Sequence, residues 1–194
     1  MMTYVLTILA YLAGSINCSI LICKIYGFPD PRAQGSNNPG ATNMLRLHGK
    51  KYASLVLVGD ILKGIIPLII GHIAGLGYDA LGYMSIACVL GHMYPVFFRF
   101  NGGKGVATAI GCYLGLNILF GLTCLIIWVA VAFIKKYSSL ASLVLVITAP
   151  LNVLFFIKNG DIFAPMFLLS FIIVAKHHKN IQRLWSGEES RINL

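Results

Sequence analysis

The sequence predicts an all-α integral membrane protein with seven transmembrane helices, its N-terminus outside and its C-terminus in the cytoplasm. Only 11% of the 194 residues are charged and 58% are hydrophobic, whereas a soluble domain carries about 25% charged residues. Apolar runs of membrane-spanning length recur along the chain, and Lys and Arg collect between alternate pairs of them. No charged or Pro/Ser-rich linker interrupts the runs, so one multi-pass domain over residues 1–194 is expected.

The first segment, residues 3–23, has no Lys or Arg before it and ends at Lys24. A cleaved signal peptide shows the opposite charge order, so this segment is expected to be retained with its basic flank inside. Further spans are expected at 52–75, 80–98, 105–117, 119–135, 139–158 and 162–176. A single helix over 105–135 would measure about 45 Å against a hydrocarbon core of about 30 Å, so two helices broken near Asn117 fit better.

Charge placement favours the same count. Seven spans put thirteen basic residues inside: Lys24, Arg32, Arg46, Lys50, Lys51, Arg99, Lys104, Lys135, Lys136, Lys176, Lys179, Arg183 and Arg191. Lys158 alone lies outside and Lys63 lies within a span, whereas six spans would give eight inside and six outside. The net charge of +9 therefore reports cytoplasmic loops facing anionic lipid. Nucleic acid is not an expected partner, because no basic stripe interleaved with aromatics stands clear of the spans. Cys18, Cys23, Cys88, Cys112 and Cys124 lie in apolar runs without zinc-ligand spacing and read as packed thiols.

Three polar clusters fall on the cytoplasmic side of this topology. The first is Gly35-Ser36-Asn37-Asn38-Pro39-Gly40-Ala41-Thr42-Asn43, followed by Arg46. Glycines bend backbone N–H groups toward one point, Ser36, Thr42 and the asparagines Asn37, Asn38 and Asn43 supply donors, and the guanidinium offers a fork for oxyanions. A solvated surface turn uses the same residue types, so this cluster acquires meaning only beside the others.

The second cluster runs from Gly91-His92 through Pro95 to Gly102-Gly103-Lys104-Gly105-Val106-Ala107-Thr108. The N–H groups of Gly102 and Gly103, a helix N-terminus and the Lys104 charge together outline a phosphate cradle. It is not a nucleotide P-loop, since Phe98 and Gly105 stand where that pattern needs Gly and Ser or Thr. A tight helix-to-helix turn is the plainer reading of the glycines. His92 reads as a packed, hydrogen-bonded histidine near the site.

The third cluster, Lys176 to Trp185, leaves the last span as a short basic helix. His177, Asn180 and Arg183 recur every three residues and share a face, with Glu189 following. A polar stop-transfer tail would look similar. Within the second span, Asp60 and Lys63 form an i, i+3 pair about 12 Å from its cytoplasmic end, expected to neutralise each other inside the bundle.

Taken together these residues resemble the bacterial membrane glycerol-3-phosphate acyltransferases that use acyl phosphate as donor, over essentially the whole chain. The first and second clusters, the pattern Asp60-x-x-Lys63-Gly64, and the third motif at His177, Asn180-Ile181, Arg183-Leu184 and Glu189 occur in the family's order. Asn37 departs from the glycine usual in the family, and Asn tolerates the left-handed backbone such a turn demands. No histidine has Asp five residues later, so the class of glycerophosphate acyltransferases built on His-x4-Asp is disfavoured.

The resemblance implies a seven-helix enzyme of the bacterial inner membrane in phospholipid synthesis, with acyl phosphate, glycerol 3-phosphate and membrane lipids as partners. It also raises contact with the enzyme that makes the donor. Ser36, Arg46 and Lys104 are expected to bind phosphate, supported by Gly102, Gly103, Asn38, Thr42 and Asn43. His177 and Asn180 are expected to orient the glycerol hydroxyl; with Ser36 they form the expected reaction centre. His92, Ser142, Lys63, Asp60 and Glu189 are candidates for lining it. The donor is already activated, so no covalent acyl-enzyme is required. Either His177 or a donor phosphate oxygen could take the proton. No cofactor is implied, nor a metal, since no carboxylate cluster suited to magnesium lies near the motifs. The rival class is a small transporter or exchanger of phosphorylated metabolites, which would hold its anion site near the bilayer midplane.

Overall fold

A computed structural model describes residues 1–192, and among them every regular element is helical. The chain opens with α1 (Met2–Gly14) and α2 (Cys18–Ile25), which meet at a bend of 43°. Asn17 caps α2 by accepting Ile20 N–H at 3.1 Å, while the Ile16 carbonyl at the break accepts the Lys63 ammonium at 2.6 Å. A broken membrane helix persists only where its freed backbone groups find such partners.

The short α3 (Ala41–His48) precedes α4 (Lys50–Ile73), α5 (Tyr78–Met93), α6 (Val106–Leu116), α7 (Ile118–Lys135) and α8 (Ser138–Ile157). The chain closes with α9 (Phe163–Lys176) and α10 (His178–Ser186), set at 58° to each other. Four segments are long and apolar enough to cross a membrane alone: α4, α5 with its following turn, α7 and α8. The α1–α2 and α9–α10 pairs qualify only as bent units. The eleven residues of α6 rise about 16 Å, roughly half a hydrocarbon core. Asn117 separates α6 from α7 and caps the latter by accepting Phe120 N–H at 3.1 Å, so the break expected at that residue is present.

Close helix approach sets the bundle's centre. A side chain on Gly64 of α4 would strike the α6 backbone at Thr108, and one on Gly111 of α6 would strike the Ile61 carbonyl. Two backbones can meet this closely only across small residues, the usual device where lipid removes the hydrophobic drive between helices. The core around them holds Leu68, Met84, Tyr113, Phe120, Leu145, Met166 and Leu169, all essentially buried. Ile66, Ile73, Ile126, Phe133, Phe155 and Phe171 face outward, an apolar belt suited to lipid. The start of α4, the end of α5, the start of α6 and the end of α9 contribute to one cavity at one end of the bundle.

Candidate active site

The first polar cluster is a loop held together from within. Gly35 and Asn37 take left-handed backbone, at φ +61° and +55°. Asn43, buried at the start of α3, accepts Ser36 N–H at 2.9 Å through Oδ1 and donates from Nδ2 to the Pro31 and Gln34 carbonyls, each at 3.0 Å. Both its amide hydrogens are therefore spent, which corrects the expectation that Asn43 binds phosphate: it shapes the loop that presents Ser36. Arg32, paired with Asp30 at 2.7 Å, donates to the Phe98 and Asn101 carbonyls at 3.1 and 3.3 Å. That guanidinium ties the first cluster to the second.

The glycines of the second cluster act differently from the cradle expected of them. Gly102 N–H donates to the Met93 carbonyl at 3.2 Å and Gly103 N–H to the His92 carbonyl at 3.1 Å, so neither faces the cavity. They fold the loop back on the end of α5, where a side chain on Gly103 would collide with the His92 ring. The effect is to fix the segment bearing Lys104. Burial depresses the Lys104 pKa to about 8, the Glu189 carboxylate works against that shift, and the Arg183 and Arg46 charges add to it.

Of the two roles open to Lys63, the structure shows the internal ion pair and does not place it in the cavity lining. Its ammonium points to the Ile16 carbonyl, to Asp60 Oδ1 at 2.8 Å and to His92 Nδ1 at 2.9 Å, so it lies behind the cavity wall. The Asp60 contact is close but poorly directed for a hydrogen bond, and acts as charge pairing. This buried pair matches the neutralisation read from the sequence.

In the third cluster, His177 is 1% exposed where α9 turns into α10. Its Nδ1–H donates to the Ile173 carbonyl at 2.8 Å, which leaves Nε2 as an acceptor. Burial lowers its pKa to about 4; the Ile173 carbonyl and Glu189 oppose the shift and Lys104 adds to it. The ring is therefore neutral at pH 7. Asn180 Nδ2, Ser139 Oγ and Arg183 Nε all donate to Glu189, at 2.7, 2.8 and 2.7 Å. Burial opposes the Glu189 charge, but these three donors outweigh it and hold its pKa below the ordinary value.

All three clusters converge on one cavity of about 710 Å³. Its polar wall includes Ser36, Asn38, Thr42, Arg46, Lys104, His177 and Asn180, with Asp60, His92, Ser142 and Glu189 also reaching it. Thr42 Oγ1 bonds Ser138 Oγ at 3.0 Å, joining the first cluster to α8. The Arg46 guanidinium donates to the Ser190 carbonyl at 3.2 Å, and buried Ile192 anchors the tail by donating its N–H to the Lys136 carbonyl at 2.8 Å.

The other half of the cavity is apolar; a sideways entry for the acyl chain between apolar spans was expected from the sequence, but none of the residues lining it was named. Leu57 of α4, Val106 and Ile110 of α6, and Leu125, Trp128 and Val129 of α7 line it. Leu57 and Val129 are 40% and 50% exposed, so this half opens sideways onto the apolar belt. The one available signal was Trp128, whose indole N–H requires a partner within an apolar span. It donates to Ser142 Oγ at 3.1 Å, and Ser142 donates in turn to the Ser138 carbonyl at 2.8 Å.

A helical membrane bundle whose basic pocket continues into an apolar slot opening toward lipid defines a membrane enzyme site for an amphipathic anion. Residues 4–187 match the family model described as glycerol-3-phosphate acyltransferase, and the chain belongs to that family. It is 45% identical over 189 residues to a glycerol-3-phosphate acyltransferase of Legionella pneumophila (strain Corby), covering 97% of this chain and 68% of the relative. A Vibrio campbellii protein of the same description is 49% identical over 189 residues, covering 97% and 92%. The fold superposes with a TM-score of 0.93 on the crystal structure of PlsY (YgiH), an integral membrane glycerol 3-phosphate acyltransferase, in its glycerol 3-phosphate form. Identity there is 40%, over 100% of this chain and 96% of the other. The lysophosphatidic acid form of the same protein gives 0.91 at 39% identity, with the same coverage.

Proposed function

We propose that this acyltransferase moves a fatty acyl group from acyl phosphate to glycerol 3-phosphate, yielding lysophosphatidic acid and inorganic phosphate. The observation that carries the reading is the division of one cavity into a basic half and an apolar half open to the belt. The acceptor and product named for the two PlsY (YgiH) structures agree with that division.

Arg46 and Lys104 hold the phosphate groups, with Ser36, Asn38 and Thr42 as neutral ligands beside them. His177 Nε2 and the Asn180 side chain orient the glycerol hydroxyl, whose oxygen attacks the acyl carbonyl carbon. The carbonyl carbon's bond to the phosphate oxygen breaks as the ester forms. The hydroxyl proton goes to a phosphate oxygen of the donor, because an imidazole with a pKa lowered to about 4 is a poor base and the phosphate becomes more basic as its bond to the acyl carbon breaks. Ser36 binds and need not be acylated, since the mixed anhydride is already activated.

The acyl chain occupies the slot beside Leu57, Ile110 and Trp128 and arrives from the membrane. The basic end of the bundle faces the cytoplasm of a bacterial cell, with seven apolar segments crossing or entering the inner membrane as one domain and the N-terminus outside. The bias of thirteen basic residues to one supports that orientation.

The test is direct: purified protein given palmitoyl phosphate and labelled glycerol 3-phosphate should form lysophosphatidic acid and release phosphate. Acyl thioesters should fail as donors. Uptake of glycerol 3-phosphate into proteoliposomes without acyl transfer would reject the reading.

A further inference from the structure

Behind the polar wall lies a buried chain of ionisable groups whose last member faces the cavity. Lys63 Nζ contacts the Ile16 carbonyl at 2.6 Å, Asp60 Oδ1 at 2.8 Å and His92 Nδ1 at 2.9 Å. The ammonium can only donate, so His92 Nδ1 accepts and its proton sits on Nε2. Among the described residues no acceptor serves that Nε2–H. The ring is 3% exposed, lies on the cavity wall with Asp60 and Lys104, and its Nε2 occupies the space that a side chain on Gly103 would take.

A donor so placed needs an acceptor, and of the carboxylates lining the cavity the two shielded ones are already neutralised, while Glu188 is exposed and accepts from Ser186. Asp60 is countered by Lys63, and Glu189 by Arg183 at 2.7 Å. The environment therefore accepts an oxyanion and rejects a second cation.

We infer that His92 is a further substrate ligand, donating Nε2–H to a phosphate oxygen beside Lys104, and that Lys63 with Asp60 is the positioning pair that fixes its tautomer. This rests on the reading that the cavity takes phosphorylated substrates. The break between α1 and α2 gains a purpose in the same arrangement: it frees the Ile16 carbonyl that anchors Lys63. Gly103 belongs to it too, because any side chain there would displace the His92 ring.

The test starts from the unmutated full-length protein in detergent, labelled with 15N-histidine and titrated with inorganic phosphate, the expected product. His92 should be a neutral Nε2–H imidazole, and phosphate should shift that N–H resonance. In the Asp60→Asn, Lys63→Met double variant the Nε2–H population should fall, a change that a purely structural ion pair would not produce. In steady state, His92→Phe should raise KM for one phosphate-bearing substrate by about 10-fold or more, and His92→Gln, with an amide N–H of similar reach, should recover part of it. Whether acyl phosphate or glycerol 3-phosphate shows the rise identifies the bound oxygen. An Nδ1–H tautomer, an Nε2–H resonance indifferent to phosphate, or unchanged KM values in His92→Phe overturns the inference while leaving acyl transfer by the wild type intact. An inactive wild type that still shifts His92 with phosphate would sink the proposed reaction and not this site.

Discussion

Asn180 Nδ2 donates to Glu189 Oε1 at 2.7 Å, and that bond joins the cavity wall to the C-terminal tail. Glu189 also accepts from Ser139 and Arg183, so one carboxylate fixes α10, the start of α8 and the tail together. Glu189→Ala strands all three donors and should lower stability by about 2–3 kcal/mol. A thermal melt in detergent would register it, with acyl transfer falling as Asn180 loses its orientation. Because the folded pKa lies below the ordinary 4.5, this contribution is complete above that pH and is lost as pH drops through the folded value. Glu189→Gln should flatten the acid limb of the stability curve.

Lys104 should define the alkaline limb of activity. It is charged below about pH 8 and neutral above, so the phosphate-binding charge disappears as pH rises through that value. The kcat/KM for glycerol 3-phosphate should then fall about tenfold per pH unit. Lys104→Arg, charged throughout, should move that limb out of range.

His177→Gln should cost far less than the 10²-fold or more in kcat that a general base supplies, because its lowered pKa suits an orienting acceptor. A single-turnover measurement on the two proteins decides this. A loss of several orders with substrate binding intact would hand the proton to His177.

Asn37→Gly should keep activity within about twofold, since φ of +55° suits both residues. Asn37→Val, a β-branched residue forced into left-handed backbone, should raise KM for glycerol 3-phosphate by unsettling the turn beside Ser36.

Ile110→Phe adds bulk in the apolar half between α4 and α7. Competition between short and long acyl phosphates should shift toward the shorter donor. Unchanged preference would place the chain elsewhere.

Hydropathy and charge bias located the apolar segments to within a few residues, including the break at Asn117, because burial in lipid constrains every position of a span. The three clusters were legible as candidates for an anion site through their chemistry, and residues of all three line one cavity. What went astray was the direction in which groups point. Asn43, Gly102 and Gly103 have the composition of a phosphate site but give their hydrogens to the protein's own carbonyls. Lys63, read as one half of an internal ion pair and as a candidate for the lining, takes only the first role.

The amino-acid sequence by itself determined the helical membrane class, the charge asymmetry and the residue types gathered for phosphate, since these depend on local composition and period. Tertiary structure alone decided which of those groups remain unpaired and face the cavity, that residues of α4, α6 and α7 together line its apolar half, and that Glu189 and Lys63 each join three segments. The reason is physical. A side chain's chemistry is local, but whether its hydrogen-bonding capacity is free or spent depends on partners far away in the chain.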